Sequence, residues 1–364
     1  MRPLGKIERV VVKIGSRLIA ENVDERVGIL AREVAALKRR NIESVIVTSG
    51  AIALGMRRLQ LSERPRTMPG LQAAAAIGQG HLILAYERAL EQEGLLAGQV
   101  LLTHDDVRDR KRYLNARHTL AELLRMGAVP VINENDTVSV DEIKFGDNDR
   151  LAALVTSLCE ADLLIILTDV AGLYNGPPET SQLISDVRDI DAEAMPFAQG
   201  SGSMIGTGGM LSKVQAAKTA GRFGVITMIA SGRRPSPVQT LVDGAAEGTV
   251  FWPSVSRLQS RKHWIAYALK PLGVLVVDEG AKRALIEGKK SLLPSGIKRV
   301  EGHFSSGDPV AVRAEAGDEI ARGLCAFDDR EVALIMGKKS SELEAIVGYR
   351  CTEEVIHRDD LVPL

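Results

Sequence analysis

The sequence predicts an α/β protein, a three-layer sandwich with a mostly parallel central sheet, joined to a small β-rich C-terminal domain. Three observations carry this expectation. Short, continuous apolar runs alternate with helical stretches over the first two thirds of the chain. Strands that are apolar throughout are buried on both faces, as in a parallel sheet covered by helices. Near residue 256 the pattern changes to shorter apolar runs punctuated by Gly, Pro and Asp, the mark of a compact β-rich unit. Finally, 364 residues exceed what one ordinary core organises, so two domains are the default.

Taken in order, RVVVKIGS (9–16) is a β-branched run that reads as the first strand, and helical spacing follows over 25–40. SVIVTSG (44–50) is the second strand, and AIALGMRRL after it is helical, as is the Ala- and Leu-rich stretch from Gly70 to about Glu93. AGQVLLT (97–103), AVPVINEND (128–136), DLLIILTDV (162–170) and VITMIAS (225–231) read as further strands. The stretches 113–127, 149–161 and 211–224 read as the helices between them. These elements place an α/β domain over 1–255. A basic linker helix over 256–271 leads to a β-rich domain at 272–350, and a polar tail at 351–364 is expected to pack loosely.

Composition narrows the function classes. The chain is 45% hydrophobic and 26% charged, as in soluble globular proteins, and its net charge of −1 argues against wholesale binding to nucleic acid or anionic membrane. Aromatic residues make up only 4%, which leaves little for stacking on bases. The N-terminus lacks the apolar core of a secretory signal, and no run of 18 apolar residues suggests a membrane span. Three scattered cysteines (Cys159, Cys325, Cys351) read as reduced thiols, so a cytoplasmic setting is expected. The six histidines show no metal-ligand spacing, and no nucleophile elbow, P-loop or dinucleotide fingerprint is present.

Ligands of open parallel sheets gather at the carboxyl ends of the strands. Reading those ends gives Lys13 to Ser16, Thr48 to Ala51, Asn133 to Asp136, and Thr168 with Asp169. Lys13 interrupts an apolar strand, where a cation aimed at phosphate competes with a lysine snorkelling to solvent; Gly15 beside it allows backbone to approach closely. The loop GSGSMIGTGGMLSK (200–213) ends at a helix start carrying Lys213, and such a start binds anions through its free amides and dipole. Asp147, Asn148 and Asp149 crowd another helix start, more than a cap needs. Carboxylates there could hold Mg²⁺, bind a substrate ammonium or position the lysines. Lysines, carboxylates, glycines and hydroxyls without a catalytic histidine are equipment for phosphoryl transfer.

The ordered set VVKIGS, VTSGAIALG, INENDTVS, FGDND, LTDVAGLY and GTGGMLSK resembles the amino acid kinase family, in its glutamate-phosphorylating branch. The segment DEGAKRALIEGKKSLLPSGIKRVEGHFSSGDPV (278–310) resembles a PUA domain. The resemblance implies ATP-dependent phosphorylation of the γ-carboxylate of L-glutamate, the first step of proline biosynthesis, with Mg²⁺ accompanying ATP. It implies that Lys13 and Lys213 contact the transferring phosphoryl group with Asp149 between them. Ser49, Asp136 and Asn148 would bind glutamate, Asp136 meeting its α-ammonium. Lys13, Gly15, Thr168, Asp169, Thr207, Gly208, Gly209, Met210 and Lys213 would line the ATP site, with no protein-only metal site. A homo-oligomer (dimer or tetramer) inhibited by proline is also implied. Kinases of the same fold acting on aspartate, acetylglutamate or carbamate would share the lysines. RNA binding through the PUA-like segment is the rival of a different class. Between 257 and 299 there are ten Lys or Arg against three acids, but 256–364 as a whole balances at 17 and 17, so a solvated basic face is the preferred explanation.

Overall fold

The computed structural model describes residues 2–138, 148–198, 209–254, 271–339, 342–348 and 352–364. The chain forms two compact units, Met1–Val255 and Ser256–Leu364.

The first unit is built on an eight-stranded sheet. Its strands are β1 (Arg9–Ile14), β2 (Glu43–Val47), β3 (Ala97–Leu102), β4 (Val129–Glu134), β5 (Leu163–Thr168), β6 (Asp186–Val187), β7 (Ile226–Ser231) and β8 (Thr249–Phe251), in the spatial order β3-β4-β2-β1-β5-β7-β8-β6. Six neighbouring strands, from β3 to β7, run parallel. Beyond β7, at the edge of this mostly parallel sheet, β8 runs antiparallel, and the two-residue β6 pairs with it. The helices of the first unit are α1 (Ser16–Glu21), α2 (Val23–Arg39), α3 (Ala51–Arg58), α4 (Met68–Gln92), α5 (His104–Arg108), α6 (Arg110–Arg125), α7 (Asn148–Leu158), α8 (Ile190–Glu193), α9 (Met195–Ala198), α10 (Met210–Arg222) and α11 (Pro237–Val242).

Strand alternation splits the core into two layers. Val10, Val12 and Ile14 of β1 face a cluster that includes Leu30 and Val34 of α2 and Leu82 and Tyr86 of α4. Val11 faces the other cluster, with Leu151 and Val155 of α7 and Val214 and Ala217 of α10. Lys13 has the parity of Val11, so its side chain enters the layer of α7 and α10. Local signals fix the helices: Asn22 caps α2 by accepting from the Glu25 amide, and Lys38 and Arg39 fill its last turn. Helices α3 and α4 touch backbone to backbone. A Cβ on Gly55 would lie 1.8 Å from the Ala74 carbonyl oxygen, and one on Gly78 1.8 Å from that of Ala51.

Two buried charges tie the unit together. The Arg2 guanidinium donates to the carbonyls of Glu247 (2.6 Å) and Ser185 (2.8 Å). Glu33 on α2 accepts from the amides of Val238 (2.8 Å) and Gln239 (3.1 Å) at the start of α11.

The second unit contains β9 (Gly273–Val277), β10 (Ile297–Gly302), β11 (Pro309–Ala314), β12 (Glu319–Leu324) and β13 (Leu361–Pro363), in the order β10-β9-β11-β12-β13. The tail does not pack loosely. Residues 361–363 add an edge strand to β12, and Val355, Ile356 and Leu361 are buried in the core with Leu275, Val310 and Phe327. Three apolar side chains in a polar tail are enough to anchor it. The expected linker helix at 256–271 lies outside the described residues, Pro271 excepted. Within the basic run, Lys282, Lys298 and Arg299 pair with Glu279, Asp278 and Glu301.

Candidate active site

The sheet changes direction of growth at β1: β2 lies on one side of it and β5 on the other, while the chain reaches β5 only after β4. Such a switch point opens a crevice at the carboxyl ends of the strands. Lys13 stands there, flanked in register by Val47 and Ile166.

At the centre is Asp149, fully buried in the first turn of α7, where a carboxylate also complements the helix dipole. The Lys13 ammonium lies 2.5 Å from its Oδ1, and that of Lys213 lies 3.0 Å from its Oδ2. Both lysines are about 5% exposed. Three elements therefore converge: β1 brings Lys13, α7 brings Asp149 and the first turn of α10 brings Lys213. The Ser212 hydroxyl stands 2.8 Å from Asp149 Oδ2 and 2.9 Å from the Gly209 carbonyl. Burial works to raise the Asp149 pKa, but the charges and hydrogen bonds of Lys13 and Lys213 win and hold it below the ordinary carboxylate range. With one carboxylate between two ammonium groups, the trio has a net charge of +1, which suits an anion.

On the β2 and β4 side, Ser49 is buried just past β2, and Gly50 beyond it takes φ +98°. A side chain on Gly50 would also meet Ile19 at 3.0 Å, so glycine is required at this turn into α3. Asn148 directs Nδ2 to the Thr48 carbonyl (2.5 Å) and to Asn133 Oδ1 (2.7 Å). Asn133 in turn donates to Gln79 Oε1 (2.6 Å), and the Tyr86 hydroxyl donates to Thr48 Oγ1 (3.0 Å). Asp136 follows β4 half-buried, and burial pushes its carboxyl up to about 6, against the opposing charge of Arg64. The sequence reading passed over Gln79 and Tyr86. Both lie in a long helix whose composition speaks only of packing.

On the β5 side, the buried Thr168 hydroxyl donates to Asp169 Oδ1 (3.1 Å), and Arg17 reaches Asp169 Oδ2 at 2.8 Å. Desolvation opposes ionisation of Asp169, but hydrogen bonds from Arg17 and Thr168 keep its pKa low. The Gly15 amide donates to the Leu167 carbonyl (3.0 Å), and a Cβ there would approach the same oxygen at 3.3 Å. Gly209 precedes α10 with no side-chain cap and nothing within 4 Å of the place its Cβ would occupy. Among the described residues, then, nothing occupies the space at the first amides of α10, the kind of helix start that receives an anion. Met210 is half-buried against the core of the α7 and α10 layer. Thr207, Gly208 and Asp147 lie outside the described residues.

No group of three His, Cys, Asp or Glu side chains suited to a metal ion occurs among the described residues. Asp149, fully buried at the centre, has both oxygens facing ammonium groups. The described donor set thus does not fit a metal caged by protein alone.

Comparison with known proteins follows the same division. Residues 8–230 match the model of the amino acid kinase family, and residues 273–347 match that of the PUA domain. A glutamate 5-kinase of Trichlorobacter lovleyi is 50% identical over 366 residues, covering 99% of this chain and 97% of that protein. The glutamate 5-kinase of Geobacter sulfurreducens is 50% identical over 368 residues, with 99% of each chain covered. That of Myxococcus xanthus is 48% identical over 370 residues, covering 99% and 97%.

Proposed function

This chain belongs to the amino acid kinase family, and on that premise we propose that it phosphorylates the γ-carboxylate of L-glutamate with ATP. The products are γ-glutamyl phosphate and ADP, and the reaction opens proline biosynthesis. The observation that carries the reading is the buried trio, with the Lys13 and Lys213 ammonium groups held on the two oxygens of Asp149.

The chemistry needs no general base. A γ-carboxylate with an ordinary pKa near 4.3 is already ionised at neutral pH. One of its oxygens attacks the γ-phosphorus, the bond to the β,γ-bridging oxygen breaks, and ADP leaves with that electron pair. The barrier lies in bringing an anion to a polyanion and in stabilising charge on the transferring group. In this reading, Lys13 and Lys213 supply that charge from opposite sides. Asp149 pairs with both and stops them from repelling each other out of place. Ser49, Asp136 and Asn148 hold glutamate on the β2 and β4 side, with Asp136 facing the α-ammonium. Gly15, Thr168, Asp169 and the segment 207–213 receive ATP on the β5 side. Mg²⁺ is taken to arrive with the ATP phosphates, since the described residues build no cage for it.

The domain assignment that goes with this reading is catalytic at 1–255, linker at 256–271, PUA domain at 272–350 and an attached tail. Family likeness further suggests a cytoplasmic homo-oligomer in which proline competes at the glutamate subsite. Kinases of aspartate, acetylglutamate or carbamate would share the lysines, but the near-full-length similarity quoted above is to proteins named for glutamate. The test is hydroxylamine trapping of the acyl phosphate with ATP and Mg²⁺, run in parallel on glutamate, aspartate and acetylglutamate. Hydroxamate from glutamate alone is expected, and hydroxamate from aspartate but not glutamate would overturn the assignment.

A further inference from the structure

The amides at the carboxyl ends of β2 and β4 form a directed chain, and its direction is set by an atom that cannot be turned round. The Thr48 carbonyl oxygen only accepts, so the Asn148 group 2.5 Å from it must be its NH₂. That NH₂ also meets Asn133, which must therefore present Oδ1 and send its own NH₂ onward. The next atom, Gln79 Oε1 at 2.6 Å, must in turn be an acceptor. With both amide hydrogens committed, Asn148 is left with Oδ1, an acceptor only, for anything bound at the site.

Helix α4 supports this chain twice. Gln79 reaches Asn133 near the end of β4, and Tyr86, seven residues on and so on the same helix face, reaches Thr48 just past β2. The height of the helix is fixed next to Gln79, where Gly78 lies against the Ala51 carbonyl at the start of α3.

We infer that Gln79 is a positioning residue for the substrate ammonium: by accepting from Asn133 it holds Asn133 Oδ1 on the Asn148 amide, so that Asn148, its NH₂ already turned to the Thr48 carbonyl, is held with Oδ1 left for the substrate. The inference rests on the proposed glutamate reaction. It assigns the amino group, rather than either carboxylate, as the substrate feature that Gln79 reads through two intervening amides. Gln79 does not touch substrate.

The experiment compares the parent with Gln79→Met, which keeps the chain length and removes the acceptor. Glutamate is the substrate, and glutarate, which lacks the amino group, is the competitive inhibitor. Gln79→Met should raise KM for glutamate about 10-fold, the scale of one disrupted hydrogen bond in a buried network. The Ki of glutarate, kcat and KM for ATP should all stay within about 2-fold, a selectivity that general loosening of the fold would not produce. In a double-mutant cycle with Asn133→Ala, adding Gln79→Met should change KM by less than 2-fold, because Gln79 acts through Asn133. An unchanged KM for glutamate, an equal rise in the Ki of glutarate, or an additive cycle would each overturn the inference. A parent enzyme that forms no hydroxamate from glutamate would instead overturn the functional reading, and this inference with it.

Discussion

Replacing Asp149 with asparagine tests the electrostatic core of the site. The amide keeps the shape of the carboxylate, but it offers one acceptor oxygen where there were two and puts an NH₂ group towards one of the lysines. The two ammonium groups, 2.5 and 3.0 Å from the carboxylate oxygens and nearly inaccessible to water, lose the negative charge that Asp149 places between them. Removing one partner from a buried ion pair costs about 3–5 kcal/mol. At pH 7 the variant's kcat should fall by about 10²-fold or more, the scale of a lost transition-state contact. KM for ATP should hold or fall, because the phosphates meet uncompensated cations. The assay is hydroxamate formation at pH 7 and saturating glutamate. A variant with kcat within about 5-fold of the parent would refute the reasoning.

Other consequences can be checked separately. In the parent, kcat/KM for glutamate should fall as the pH drops through about 6, where Asp136 takes up a proton and no longer meets an ammonium group. Asp136→Asn should raise KM at least 10-fold at pH 8 and abolish that acid limb; an acid limb that persists would assign it elsewhere. Glu33 is pushed up to about 7 by burial, against hydrogen bonds from the Gln239 and Val238 amides. Its folded pKa lies above the unfolded value of 4.5, so the folded state holds the extra proton between the two. Stability contributed by this group is thus present below about pH 4.5 and lost as pH rises to about 7, by at most about 3 kcal/mol. Glu33→Gln keeps the acceptor for α11 and should flatten that pH dependence, raising Tm at pH 8 relative to the parent; urea melts at pH 5 and 8 would show a parallel fall in both proteins if Glu33 were not responsible. Two glycines of α4 offer a matched pair: Gly78→Ala puts a Cβ 1.8 Å from the Ala51 carbonyl oxygen, while Gly80→Ala meets nothing within 4 Å. The first should destabilise by about 3 kcal/mol or more and the second should be neutral or stabilising, by thermal melts.

Much of the first unit was legible in the sequence because its strands are covered on both faces. RVVVKI, ESVIV and LLIILT are apolar without alternation, and a lysine inside such a run stands out. The partnership of Lys13, Asp149 and Lys213 was harder to read. Lys213 follows Asp149 by 64 positions, and only the packing of α7 against α10 brings the two within 3.0 Å. Gln79 and Tyr86 gave no signal at all. Their polar atoms matter through the strand ends they reach, while their helix reads as Ala- and Leu-rich packing surface. The antiparallel edge at β8 escaped notice because three residues, TVF, are too few to show a period. The C-terminal strand was hidden by its polar surroundings, although Val355, Ile356 and Leu361 are what anchor it. Arg2 and Glu33 gave no signal in the sequence, because their burial depends on backbone groups at distant helix and loop termini.

The central claim is that Lys213, besides lining the ATP site, meets charge that develops during transfer. Steady-state kinetics of Lys213→Ala in the hydroxamate assay, with glutamate and ATP varied independently, test it most directly. The account predicts a fall in kcat of about 10²-fold or more, with both KM values within about 3-fold of the parent. A kcat close to that of the parent, with the loss confined to KM for ATP, would make Lys213 a ground-state binding residue and contradict the account.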